Sequence, residues 1–164
     1  MDFEVLTADD WRILRDVRLL ALKDSPGAYI SSYETEASWS EASWRRSFAG
    51  ALWVVTRSGR RIIGVARSLR VDGRPPDERH LESVWVEPRH RRTGVMRAIL
   101  RYLTEIEPEV HDWLLWVVDR NVEARQVYER LGFEPTGERQ LLTDTSGRTE
   151  VRLRLSGLSA RRPG

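Results

Sequence analysis

The chain has no cysteine, so disulfides and thiolate metal sites are excluded. Its three histidines, His80, His90 and His111, fall at no metal-ligand spacing, and no metal is expected. Lysine is nearly absent as well. Lys23 stands alone, and every other one of the 27 basic residues is arginine. Long apolar runs are missing, so nothing reads as a membrane helix and no membrane partner is expected. Met1-Asp2-Phe3-Glu4 lacks a signal-peptide pattern. A soluble cytoplasmic protein is the expectation. Strong net charge is missing too: the balance is +2, although the pI is 9.4. The arginines are spread along the chain and mostly neighbour Asp or Glu, whereas a nucleic-acid binder clusters them. No nucleic-acid partner is expected.

What is present is an ordinary globular balance, 40% apolar and 32% charged over 164 residues. That length suits a single domain, expected over residues 1–157, with a frayed tail at 158–164. Residues 2–6 alternate as a short strand. Thr7 caps a helix whose stripe is Trp11, Leu14, Val17, Leu20 and Ala21, ending near Pro26-Gly27. Residues 28–39 read as an irregular loop and 40–48 as a short helix holding Trp44. Strands are expected at 51–56, 61–70 and 79–87, with a helix from Val95 to Pro108. Trp113 to Val118 has no polar member and reads as a strand buried on both faces. A helix over 122–131 closes at Gly132, and strands 133–138 and 149–155 flank a turn at Asp144–Gly147. This order predicts an α/β (α+β) fold: a mixed sheet of six to seven strands flanked by about four helices.

The stretch Val84-Trp85-Val86-Glu87-Pro88-Arg89-His90-Arg91-Arg92-Thr93-Gly94-Val95-Met96 carries the first chemical signal. A β-branched and aromatic run suits a strand, and Pro88 stops its ladder. A basic turn leads into a helix at Val95. The unpaired N–H groups and dipole of that helix start form an anion cradle, which predicts a phosphate-bearing ligand at residues 91–96.

These residues resemble the GCN5-related N-acetyltransferase (GNAT) superfamily. The family's pyrophosphate loop, Arg/Gln-x-x-Gly-x-Gly/Ala after Val-x-Pro, is matched by Arg91, Arg92, Thr93, Gly94, Val95 and Met96 after Val86-Glu87-Pro88. A second motif, Asn-x-x-Ala-x-x-x-Tyr-x-x-x-Gly-Phe, is matched by Asn121, Ala124, Tyr128, Gly132 and Phe133. Arg18 to Tyr29 is similar to one bacterial branch of the family. The departure is Met96, where the family has Gly or Ala. The expectation is that Met96 turns inward and binding survives.

The resemblance implies the GNAT fold and an acetyl-CoA-dependent N-acetyltransferase. Acetyl-CoA is the co-substrate, and the acceptor is a primary amine of a small molecule or peptide. The alternative is a catalytically weak CoA-binding or regulatory module. The pyrophosphate would sit on residues 91–96. The edge of Val84, Trp85 and Val86 would pair with the pantetheine amides. Asn121, Ala124 and Tyr128 share a helix face. Asn121 would bond an amide, Ala124 leave room, and Tyr128 protonate the leaving sulfur. Set against these roles, Asn121 also suits an N-cap and Tyr128 a core aromatic.

His80 matches the position where some members carry a strand carboxylate. Strict alternation would place His80, Glu82, Val84 and Val86 on one face. His80 is the first expected base, and Glu82 its rival or orienting partner. Others place a glutamate where this chain has Trp116. Tyr29, Ser32, Tyr33 and Trp44 are expected to touch the acceptor, or to pack over the core. Glu34, Glu36 and Glu41 would attract a cationic amine, or form a solvated face. By analogy, the C-terminal strands are where a homodimer would form.

Overall fold

A computed structural model of the chain describes residues 1–142 and 147–157. The expected 144–147 turn lies largely outside these residues, and the 158–164 tail wholly so. Seven strands form one sheet: β1 (Asp2–Leu6), β2 (Ala51–Ser58), β3 (Arg61–Leu69), β4 (Glu78–Val86), β5 (Asp112–Val118), β6 (Glu134–Leu141) and β7 (Thr149–Ser156). Their spatial order is β1-β2-β3-β4-β5-β7-β6. All pairings are antiparallel except β4 with β5. Among the described residues five α-helices accompany the sheet: α1 (Trp11–Asp24), α2 (Tyr33–Ala37), α3 (Glu41–Arg46), α4 (Val95–Ile106) and α5 (Val122–Arg130).

The sheet separates two cores. On one face Ile99, Leu100 and Leu103 of α4 pack with Leu81, Trp113, Leu115, Leu153 and Phe133. On the other, Leu14, Val17 and Ala21 of α1 pack with Trp44, Trp53, Val65 and Trp85. Helices on both faces cover the apolar strands, as the element order requires.

Three local expectations need correction. Leu20 is half exposed, while Arg18 and Leu22 are buried. At about 100° per residue, Leu20 falls opposite Arg18 on the helix wheel. The 28–39 segment is not wholly irregular, because Ser32 accepts the Thr35 N–H and starts α2. Trp116 is the half-buried member of an otherwise buried β5 core run; it borders an opening described below, and the Arg152 guanidinium lies 5.3 Å from its ring centroid.

A bulge in β4 positions the site. Val65 pairs with Trp85 and Arg67 with Glu82, so two steps on β3 oppose three on β4. Ser83 absorbs the extra residue at φ 52, a left-handed conformation unusual for serine. The alternation therefore flips. Leu81 and Trp85 would share a face in a regular strand, yet they belong to opposite cores. The expected common face for His80, Glu82, Val84 and Val86 does not exist. Glu82 bonds Arg67, whose guanidinium lies over Trp53 on the α1 side. Val84 and Val86 pack toward α4 and α5.

Candidate active site

β4 and β5 run together for only three pairs, Glu78 to His80 with Asp112 to Leu114. Beyond His80 the two strands part, while β5 stays paired with β7 to Val118. The gap is a cleft of about 90 Å³ lined by residues of both strands, by Tyr29, and by Asn121, Ala124 and Tyr128 of α5. Bulged strands bend and twist more than regular ones, which is how Ser83 opens this gap.

The β4 edge along the cleft is peptide-like. The Glu87 N–H bonds Ile63 O on β3, so alternation turns Val86 and Val84 outward. Their carbonyls are met by side chains: Arg91 Nε donates to Val86 O at 3.0 Å and the Tyr29 hydroxyl to Val84 O at 3.0 Å. By the same alternation the Val84 and Val86 amides point away from β3, and Val84 lines the opening, which suits an extended ligand with amide groups. Trp85 points the other way, into the α1 core, and its backbone is paired with Val65 on β3, so it lies off the cleft.

Where β4 ends, residues 91–96 shape the cradle. Arg92 (φ 64) and Gly94 (φ 88) are both left-handed, on either side of Thr93. The Thr93 hydroxyl donates to His90 O at 2.6 Å. Left-handed residues turn successive N–H groups toward one point, an anion-binding concavity. Gly94 caps α4, whose first N–H groups have no intrahelical acceptor. Arg91 is held by Asp24, which also accepts from Trp85 Nε1 at 2.9 Å. Burial opposes the Asp24 charge, but the bonds from Trp85, Ser25 and Arg91 outweigh it and lower its pKa. This link ties α1 to the loop, and no motif marks it. Met96 is buried in the core with Val95 and Ile99, turned away from the cradle as expected.

On α5, Asn121 is both cap and cleft wall. Its Oδ1 accepts the Ala124 N–H at 3.2 Å, leaving the amide NH₂ as a donor. Tyr128 stacks edge-on against Phe133 at 5.6 Å. Its hydroxyl has no hydrogen-bond partner among the described residues. Burial, and then Tyr29 nearby, raise its pKa well above the ordinary value.

His80 sits elsewhere. Its Nε2 accepts from Arg152 Nη2 at 2.6 Å, and Glu78 lies 3.7 Å away. A guanidinium only donates, so the ring is neutral with its proton on Nδ1. Burial, then Arg152, lower its pKa. Glu82 does not orient it; Glu82 accepts from Arg67 at 3.1 Å and lines the cleft. A lowered histidine pKa means that the unfolded chain binds the extra proton. Stability is then intact above the unfolded value of about 6.5 and falls as pH drops through the folded value. Melting measured from pH 7 to 5 should show wild type losing stability relative to His80→Gln. The slope is at most about 1.4 kcal/mol per pH unit, the limit for one proton.

Of the expected acceptor residues only Tyr29 reaches the cleft. Trp44 is 1% exposed and packs edge-on against Trp39, so it belongs to the core. Ser32 caps α2, and Tyr33 is exposed at its start. Glu36 is buried against Arg18, while Glu34 and Glu41 are exposed, Glu41 paired with Arg45.

A sequence profile described as the acetyltransferase (GNAT) family matches residues 15–133. The chain belongs to the GNAT acetyltransferase family. No curated protein sequence matches it significantly. Solved structures agree on the GNAT fold. The protein smu.2055 of Streptococcus mutans superposes with a TM-score of 0.74 at 16% identity, over 95% of this chain and 99% of that one. The ribosomal-protein-S18-alanine N-acetyltransferase of Escherichia coli gives 0.68 at 20% identity, over 99% of both chains. The spermidine N-acetyltransferase of Vibrio cholerae, in complex with CoA and spermine, gives 0.69 at 14% identity, over 94% of both. In GNAT terms, the Ser83 bulge, Trp116 and Asp24 are the site-shaping residues the sequence motifs did not mark.

Proposed function

We propose that this chain is an acetyl-CoA-dependent N-acetyltransferase that moves the acetyl group to a primary amine of a small molecule or peptide by direct attack. One observation carries the reading. One cleft, opened where β4 and β5 part, is lined by the Val84 edge of β4, by Asn121 and Tyr128 of α5, and by Glu82.

The donor is a substrate, and the residues present suit it. Backbone amides of 92–96 would hold its diphosphate, with Arg92 adding charge. Val84 and Val86 would pair with its two amides, and the Asn121 NH₂ would bond a pantetheine carbonyl. Ala124 leaves space on the α5 wall. A strand N–H near Val84 would stabilise the oxygen charge of the tetrahedral intermediate. Tyr128 would give its proton to the departing sulfur. Glu82 is the base we favour, directly or through water, because it lines the cleft, whereas the His80 Nε2 lone pair is taken up by Arg152. The amine would come from the α1 side, past Tyr29, Glu82 and Trp116.

The relatives named above act on amines of two kinds, a polyamine and a protein alanine. Both fit the class proposed here. The test is thiol release from acetyl-CoA with spermidine and with an alanine-initiated peptide. Turnover above the rate without amine supports the reading, and none with either amine counts against it. The alternative, a CoA-binding module without turnover, drew on Met96 crowding the phosphates. Met96 lies in the core instead. Met96→Leu should therefore leave acetyl-CoA affinity within two-fold by calorimetry, at a stability change under about 1.5 kcal/mol.

A further inference from the structure

We infer that the Tyr29 hydroxyl oxygen accepts an N–H of the incoming amine, and that this contact selects primary over secondary amines. The inference rests on the acetyltransferase reading above. It gives the two phenols of one cleft opposite tasks: Tyr29 accepts and Tyr128 donates.

The hydrogen bonds distinguish them. A phenol carries one proton and can also accept. The Tyr29 proton is committed to the Val84 carbonyl at 3.0 Å. What Tyr29 has left to offer the cleft is its lone pairs. Tyr128 has no acceptor among the described residues, so its proton is available. Burial pushes the Tyr29 pKa up to about 12, which keeps that proton in place at neutral pH.

Tyr29 is also fixed at both ends. The Arg18 guanidinium lies 4.6 Å from its ring centroid. Arg18 is itself held by Glu36, through Nε to Oε2 at 3.0 Å and Nη2 to Oε1 at 3.0 Å. Both are buried. A bidentate pair fixes the guanidinium plane, and a cation over a ring face holds the ring. The chain of contacts runs from α2 through α1 to Tyr29 and on to β4. An acceptor held this firmly orients an amine at little entropic cost.

The selection follows from the proton count. A neutral primary amine has two N–H bonds. Its nitrogen lone pair forms the C–N bond to the thioester carbon. One N–H proton goes to Glu82, and the other stays on nitrogen, directed at Tyr29. The C–S bond then breaks, and sulfur takes the Tyr128 proton. The proton on Glu82 returns through water to the Tyr128 phenolate. The products are the amide, with its single N–H, and the free thiol. A secondary amine has only one N–H, which Glu82 removes, so nothing remains for Tyr29 to hold.

The experiment compares n-butylamine with N-methylbutylamine in thiol release by wild type and Tyr29→Phe, with calorimetry of acetyl-CoA on both proteins. The variant keeps the ring and its Arg18 contact. The expected result is a fall of at least ten-fold in kcat/KM for n-butylamine, less than two-fold for N-methylbutylamine, and acetyl-CoA affinity within two-fold. Equal losses on both amines, or none, would overturn the selection while leaving the acetyltransferase reading intact. A matching loss of acetyl-CoA affinity would make Tyr29 a donor-site residue instead. Failure of wild type to release thiol with either amine at saturating acetyl-CoA would remove the underlying reading, and this role with it.

Discussion

Replacing Glu82 by glutamine should lower kcat/KM for an amine acceptor about a hundred-fold, with acetyl-CoA affinity unchanged. The nitrogen of a neutral amine becomes positively charged as the C–N bond forms, so a group in the cleft must take one of its protons. Positioned bases contribute on the order of 10²–10⁴ in rate. Glu82 lines the cleft on the α1 side, two residues before Val84 and next to the strained Ser83. Strain of this kind gathers at working sites because the surroundings hold the chain there. Glutamine keeps the shape and can still accept from Arg67, now 3.1 Å from Oε2. The fold should therefore survive, and thermal melting checks that it does. The matched control is His80→Gln, which should change the rate by only a few-fold. If the two variants swapped these outcomes, the base would be His80.

Tyr128→Phe should lower kcat by about a hundred-fold and leave the donor affinity within two-fold. Loss of a positioned acid costs what loss of a base costs, on the order of 10²–10⁴. The substitution removes one oxygen and keeps the ring against Phe133. Burial holds the proton on this phenol, so at neutral pH it is a donor and not a base. Single-turnover measurements of thiol release would isolate the step. An unchanged rate would take Tyr128 out of the chemistry and leave it as a wall of the cleft.

Much of the scaffold was legible because its signals are local. Pro88 ending a β-branched run, Gly94 before a 3.6-residue period, and Gly132 after α5 each act on their own neighbours. The two GNAT motifs fall on the elements expected of them, and Met96 went inward as its apolar side chain would suggest. What stayed hidden depends on distant partners or on an irregular step. A serine at positive φ carries no compositional mark, and alternation assumed a regular β4, so His80 and Glu82 were set on one face with Val84 and Val86. Arg152 meets His80 from 72 residues away. Trp44 could not be told from a surface aromatic until Trp39 and the α1 core closed around it. The Ser32 cap was readable in principle, since a serine precedes Glu34 and Glu36 in a first turn.

The most direct test is a crystal structure of the protein grown with acetyl-CoA. The account predicts the pantetheine arm lying along Val84 to Val86, the diphosphate on the amides of 92–96, and the sulfur within hydrogen-bonding reach of the Tyr128 hydroxyl. A donor bound outside the β4–β5 gap, or with its thioester remote from Tyr128, would contradict it.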